Sequence, residues 1–327
     1  MTVGSCVIGV DDLNTEKEKQ MSSIIQTNKL TKSYGKSRGI IDVAFEIQEG
    51  EVFGFLGPNG AGKTSTMRVL MGLLRPTSGS ATIGGLDCWT QSTEVKKLVG
   101  YLPGEFTFDP GLRGAQIIEY LGNLRGGVDQ AYVRALVERL GFDPSRRFRE
   151  YSRGNKQKLG VVQAFMHKPR LLILDEPSTG LDPLNQQEFY KMVAEVHAEG
   201  RTVFLSSHIL PEVEHTCDRV AIIREGRLVK IDHVSSLKDI RQHDVEISFA
   251  GPASVEWFKN VEGVTKVAQG ADEHTLQLNV QGALTEIIQI AGEHHATNID
   301  THEPSLEEVF LHFYEPEQSS AALAGER

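Results

Sequence analysis

Apolar positions fall into two kinds of run along this chain. Near-continuous apolar stretches at Glu51-Val52-Phe53-Gly54-Phe55-Leu56, Leu171-Leu172-Ile173-Leu174-Asp175-Glu176 and Thr202-Val203-Phe204-Leu205-Ser206-Ser207 predict buried strands of the parallel-sheet kind. Helical spacing at Thr66-Met67-Arg68-Val69-Leu70-Met71, and again over residues 116–121 and 132–140, predicts amphipathic helices between them. Together they make an α/β domain. Past about residue 243 the rhythm changes: Val245, Ile247 and Phe249 alternate, as do Leu276, Leu278 and Val280, while 255–258 and 284–290 suggest helices. With weaker strands near 264–267 and 297–301, the order is strand, helix, two strands, helix, strand. That order permits a ferredoxin-like split arrangement in a small α+β domain. Ser305 with Glu308 forms a capping box that opens a last helix.

The first apolar run leads into Gly57-Pro58-Asn59-Gly60-Ala61-Gly62-Lys63-Thr64-Ser65, which fits the phosphate loop G-x-x-x-x-G-K-[ST] at every required position. Glycines at 57, 60 and 62 let successive N–H groups point at phosphates. Lys63 adds a positive charge near the β- and γ-phosphates, Thr64 offers a hydroxyl to Mg2+, and the helix that follows favours the anion at its N-terminus. An ordinary glycine turn would leave Lys63 and Thr64 unexplained. The chain therefore reads as a protein of nucleoside triphosphates.

Three more features lie downstream. The strand ending in Asp175 and Glu176 delivers two acids to the sheet edge where ligands bind, Asp175 to orient Mg2+ and Glu176 to take a proton from attacking water. Ser152 is a good N-cap for a helix over 153–164, in a window rich in Arg and Lys. His208 closes the third strand, where a γ-phosphate should sit. Each alone has a bland explanation, as a core histidine, a solvated basic face or a chance acidic pair.

Composition narrows the partners. A formal charge of -10 argues against a broad nucleic-acid or anionic-membrane surface, so no nucleic acid is expected. Cys6, Cys88 and Cys217 lie far apart without metal or disulfide spacing, which fits a reducing cytosol. No stretch approaches the roughly 20 apolar residues needed to cross a bilayer. Residues 1–20 lack a secretory signal and read as polar and mobile, with Met21 a second candidate start.

Phosphate loop, Ser-x-Gly turn, acidic strand, Pro177-Ser178-Thr179-Gly180-Leu181-Asp182 loop and strand-terminal His208, in this order, resemble the ATP-binding cassette (ABC) ATPases over roughly residues 23–243. The resemblance implies ATP and Mg2+ as cofactors and a head-to-tail pair of ATPase subunits, a homodimer, enclosing two nucleotides. It assigns Tyr34 to stack on adenine, Ser152 and Gly154 to touch the γ-phosphate held by the second subunit, Asp182 to the dimer seam and His208 to the switch position. Residues 116–121 and 132–140 resemble the helical subdomain that receives a membrane subunit. The ending resembles ATPase subunits of exporters whose transmembrane permease is a separate chain, peripheral on the inner face of the membrane.

This chain also departs from the family pattern. Tyr151, Arg153 and Asn155 replace the first, third and fifth residues of the usual Leu-Ser-Gly-Gly-Gln signature. Gly100-Tyr101-Leu102-Pro103 is followed by Gly104 where the family places Gln or Glu, which leaves Glu105 as a metal-side or coupling residue. The expected division is an N-terminal extension (1–22), an ABC ATPase domain (23–243), an accessory α+β domain (244–314) and a frayed tail (315–327). The leading function is an exporter ATPase; a soluble ABC ATPase acting on ribosomes or DNA is the alternative, and a phosphate-loop kinase would leave Ser152 and Gly154 unexplained.

Overall fold

The computed structural model describes residues 22–35, 37–239, 242–270, 272–281 and 284–302. The capping box of Ser305 and Glu308 and the segments 1–21 and 315–327 lie outside the described residues. In chain order the elements are β1 (Ser23–Tyr34), β2 (Ser37–Val43), β3 (Glu46–Gln48), β4 (Val52–Leu56), α1 (Lys63–Leu70), β5 (Ser78–Ile83), β6 (Leu86–Asp87), α2 (Ser92–Leu98), β7 (Val99–Leu102), α3 (Gly114–Leu124), α4 (Gln130–Arg139) and α5 (Arg153–Phe165). There follow β8 (Leu171–Asp175), α6 (Pro183–Ala198), β9 (Thr202–Ser207), α7 (Leu210–Thr216), β10 (Arg219–Arg224), β11 (Arg227–His233) and α8 (Val234–Asp239). The tail adds β12 (Gln242–Phe249), β13 (Val264–Gln269), β14 (Thr275–Gln281), α9 (Thr285–Glu293) and β15 (Ala296–His302).

The three apolar runs become neighbours in one sheet. Its order is β11-β10-β4-β9-β8-β7, with every pairing parallel except β10 with β11. Because side chains alternate across a strand, β4 sends Val52 and Leu56 into one core and Phe53 and Phe55 into another. β8 does the same with Leu172 and Leu174 against Leu171 and Ile173. Both faces are dry, which is why these strands read as unbroken apolar runs rather than as alternation.

On the first face lie α3 through α7, which supply residues such as Ile117, Leu136, Leu159, Phe189 and Val213. On the second, α1 and the antiparallel sheet β2-β1-β5-β6, with β3 paired to β1, close over Phe45, Phe53, Phe55 and Phe204, whose ring centroids lie 5.6–6.0 Å apart. That antiparallel layer carries Tyr34 at its end.

The tail forms its own four-stranded sheet, β13-β14-β12-β15, all antiparallel. The third tail strand lies between the first two, which is the split arrangement. The segment at 255–258 differs from the helix expected there: it is a single 3-10 turn, Val255–Trp257. Successive three-residue bonds, Phe258 N–H to Val255 O and Val261 N–H to Phe258 O, seat the buried Phe258 and Val261 against the sheet and leave no length for an α-helix. Val245, Ile247, Leu276, Leu278 and Ile287 pack with them in a cluster separate from the two cores that flank the β11-β10-β4-β9-β8-β7 sheet.

Candidate active site

Strand pairing assembles the site. β4, β9 and β8 are adjacent, with Leu56 opposite Ser207 and Asp175 opposite Ser206. The residues that follow these ends, Gly57, His208 and Glu176, therefore emerge side by side, at the edge where parallel sheets bind ligands. The Gly57 N–H donates to the Ser207 carbonyl at 3.2 Å, which pins the start of the phosphate loop to the histidine-bearing strand.

Within the loop, Gly62 adopts φ 113 as the N-cap of α1, a conformation closed to other residues. This turn lets α1 begin at Lys63, three residues before the helical spacing becomes visible in the sequence. Thr64 and Ser65 sit half-buried in its first turn, while Pro58, Asn59 and Gly60 are exposed and Ala61 is buried. The Tyr34 hydroxyl lies 3.2 Å from Ser65 Oγ, so the ring is tethered to the phosphate loop although Tyr34 is 40% exposed.

Lys63 is the charged centre of this group. Its ammonium is buried and donates to the carbonyls of Gly57 at 2.6 Å and Pro58 at 3.2 Å. Nζ also stands 3.4 Å from Glu176 Oε1. Burial lowers the Lys63 pKa from its ordinary value, and the carboxylates of Glu176 and Asp175 oppose that shift. The same Glu176 oxygen lies 3.4 Å from His208 Nδ1, and Thr179 Oγ1 donates to the other at 3.4 Å.

Asp175 is fully buried, accepts from Ser206 Oγ at 2.6 Å through Oδ1, and has no hydrogen-bond partner at Oδ2 among the described residues. Gly104 lies over that oxygen: a Cβ there would approach Oδ2 to 3.2 Å. Glu105 is exposed on the same loop, and none of the described contacts brings it to Asp175.

Ser152, Gly154 and Asp182 form a second group, at the N-terminal ends of α5 and α6. Ser152 caps α5 by accepting from the Asn155 N–H at 3.3 Å, and Asp182 caps α6 by accepting from the Asn185 N–H at 3.1 Å. A Cβ on Gly154 would fall 2.6 Å from the Gly180 carbonyl oxygen, so only glycine allows the two turns to touch there. Arg153 lies along Gly180 on the same contact.

Sequence reasoning missed three polar residues here. Ser206 joins Asp175 to the Glu176 N–H, which it accepts at 3.0 Å. Gln157, buried on α5, donates to the carbonyls of Glu176 and Pro177. Glu212, buried on α7, accepts from Ser207 Oγ at 2.5 Å; burial raises its pKa, with the Ser207 hydrogen bond acting the other way. Two hydroxyls ending an apolar strand were a signal for Ser206 and Ser207. For Gln157 and Glu212 the sequence carried none, since each sits among ordinary helical polar positions.

Comparison with known proteins agrees with this geometry. Residues 40–179 match the family model described as ABC transporter. The bacitracin transport ATP-binding protein BcrA of Enterococcus faecalis is 36% identical over 220 residues, covering 66% of this chain and 71% of that protein. The linearmycin resistance ATP-binding protein LnrL of Bacillus subtilis is 30% identical over 304 residues, 88% of this chain and 97% of that one. The solved structure of an ATP binding subunit of an ABC transporter superposes with a TM-score of 0.61 at 27% identity, covering 66% of this chain and 92% of that one. With its phosphate loop, acidic strand and Ser152 turn in one cassette, the chain belongs to the ABC transporter family, as an ATP-binding and ATP-hydrolysing subunit.

Proposed function

We propose that this subunit powers an exporter: two copies close on two ATP molecules, hydrolysis reopens them, and a separate membrane permease converts closure into movement of a substrate. The observation that carries the export reading is the match to LnrL, which extends through nearly the whole of that resistance protein. BcrA is named for bacitracin transport, so antibiotics are the substrate class to try first. Among the described residues no helix is long and apolar enough to cross a membrane, consistent with a subunit that sits on the inner face and relies on a partner for the path.

Chemically, Lys63 binds the β- and γ-phosphates. That transfer of its ammonium from the loop carbonyls and Glu176 to phosphate frees the Glu176 carboxylate to accept a proton from the attacking water. His208, beside Glu176, contacts the γ-phosphate, and Tyr34 stacks on the adenine. Ser152 and Gly154 read the γ-phosphate on the second subunit, with Asp182 at the seam.

The buried, unpartnered Asp175 Oδ2 and the Thr64 hydroxyl are the hard oxygen donors that fit Mg2+. Gly104 packs over Asp175 Oδ2 without a side chain, where a Cβ would approach it to 3.2 Å. Bound with the nucleotide, Mg2+ would neutralise phosphate charge.

Purification from detergent-solubilised membranes tests the export reading. A permease-sized membrane protein that co-purifies supports it; ribosomes or DNA in its place would establish the soluble alternative.

A further inference from the structure

Glu176 is held in an unusual way. Its φ of 49 lies in the left-handed region, which a glutamate adopts only when its surroundings impose it. On one side Ser206 Oγ accepts the Glu176 N–H at 3.0 Å. On the other, the Gln157 amide donates from Nε2 to the Glu176 carbonyl at 3.2 Å and to the Pro177 carbonyl at 2.8 Å. Two buried side chains thus fix the peptide groups before and after the Glu176 Cα. The first belongs to the sheet and is rigid with Asp175. The second belongs to α5, the helix that Ser152 caps.

Contact between the same two segments recurs at the helix start, where Gly154 meets the Gly180 carbonyl. The first turns of α5 and the loop from Glu176 to Asp182 are therefore joined at two levels, by a forked hydrogen bond and by backbone against backbone. Rotation of α5 cannot leave Glu176 where it is.

We propose that Gln157 is a positioning residue for Glu176, holding the carboxylate in its left-handed setting and passing any displacement of the Ser152 turn to it. The proposal rests on Glu176 being the general base. It gives a physical route by which a signature turn engaged on one nucleotide sets the base that acts on the other.

The test is a double-mutant cycle on the full chain. Gln157→Met keeps the volume of the side chain and removes both donors. Hydrolysis should fall by about 10–100-fold, the scale of a catalytic group misplaced by an ångström, with ATP affinity unchanged. In a Glu176→Gln background the same change should cost nothing further, because the group it positions is already gone. An unchanged kcat, or the same loss in both backgrounds, overturns the proposal. Near-normal turnover of Glu176→Gln alone would instead overturn the base assignment, so the two failures are separable. Should Gln157→Met not fold, Gln157→Asn, which keeps an amide but shortens its reach, is held to the same two outcomes.

Discussion

Lys63 Nζ and Glu176 Oε1 lie 3.4 Å apart, so the ammonium proposed to bind phosphate and the carboxylate proposed to take the proton hold one another. On that proposal, nucleotide binding breaks the pair. Glu176→Gln removes the competing charge, so ATP should bind as well as before or better, while phosphate release at saturating Mg-ATP slows by about 10²–10⁴-fold. Near-normal turnover would remove Glu176 from its role.

Lys63→Ala has the opposite profile. It deletes a charge-assisted contact worth roughly 1.5–3 kcal/mol, which corresponds to about a 10–100-fold loss of ATP affinity. Equilibrium titration with ATP measures it, and unchanged affinity would contradict the phosphate-loop assignment.

Ser152→Arg should bind ATP normally yet lose cooperative turnover, since Ser152 belongs to the group at the α5 and α6 ends rather than to the phosphate loop. Mixing this chain with Lys63→Ala gives dimers in which one composite site carries both lesions and the other neither. Recovery of activity would show that the signature acts across the dimer; activity of Ser152→Arg alone would exclude it. No recovery in proven mixed dimers would mean that the two sites fire only together.

How much of this was legible beforehand depended on whether a feature is local. Strand, turn and helix around Lys63, the acids ending β8 and the Ser152 cap are set by neighbours in sequence, and their patterns showed them. In the tail, alternation at Val245, Ile247 and at Leu276, Leu278 showed strands, whose order permitted the split sheet that the structure forms. The antiparallel layer of β1, β2 and β5 was not visible, because β1 mixes buried and exposed positions over its 12 residues without regular alternation and is buried by the aromatic cluster across the gap. Gln157 escaped for a related reason: what makes it matter is a pair of carbonyls brought to it by the fold.

Glu212 supplies a test by pH. Its folded pKa is raised above the usual 4.5, chiefly by burial, so it favours the fold in its protonated form. That contribution is complete below the ordinary carboxylate value and is lost as pH rises through the raised one. Glu212→Gln, which stays neutral, should therefore gain in melting temperature over the parent as pH rises above the ordinary carboxylate value. Melting curves that keep a constant offset over that rise would show that Glu212 does not titrate out of its site.

The tail offers the last test. Its apolar core, with Ile247, Phe258, Leu276 and Leu278 at its centre, is a cluster distinct from the two that flank the cassette sheet. A chain ending near residue 240 should consequently keep both cassette cores and the phosphate loop, and should bind ATP. A ligand that binds only the native state raises apparent stability, by about 2.7 kcal/mol at a hundred times its Kd, so the melting temperature of the truncated chain should rise with Mg-ATP. If the tail serves dimerisation or regulation, the same truncation should weaken dimer formation or alter the ATPase rate while that rise persists. Loss of the ATP-dependent rise would show instead that the tail belongs to the ATPase core and that the boundary near residue 243 is misplaced.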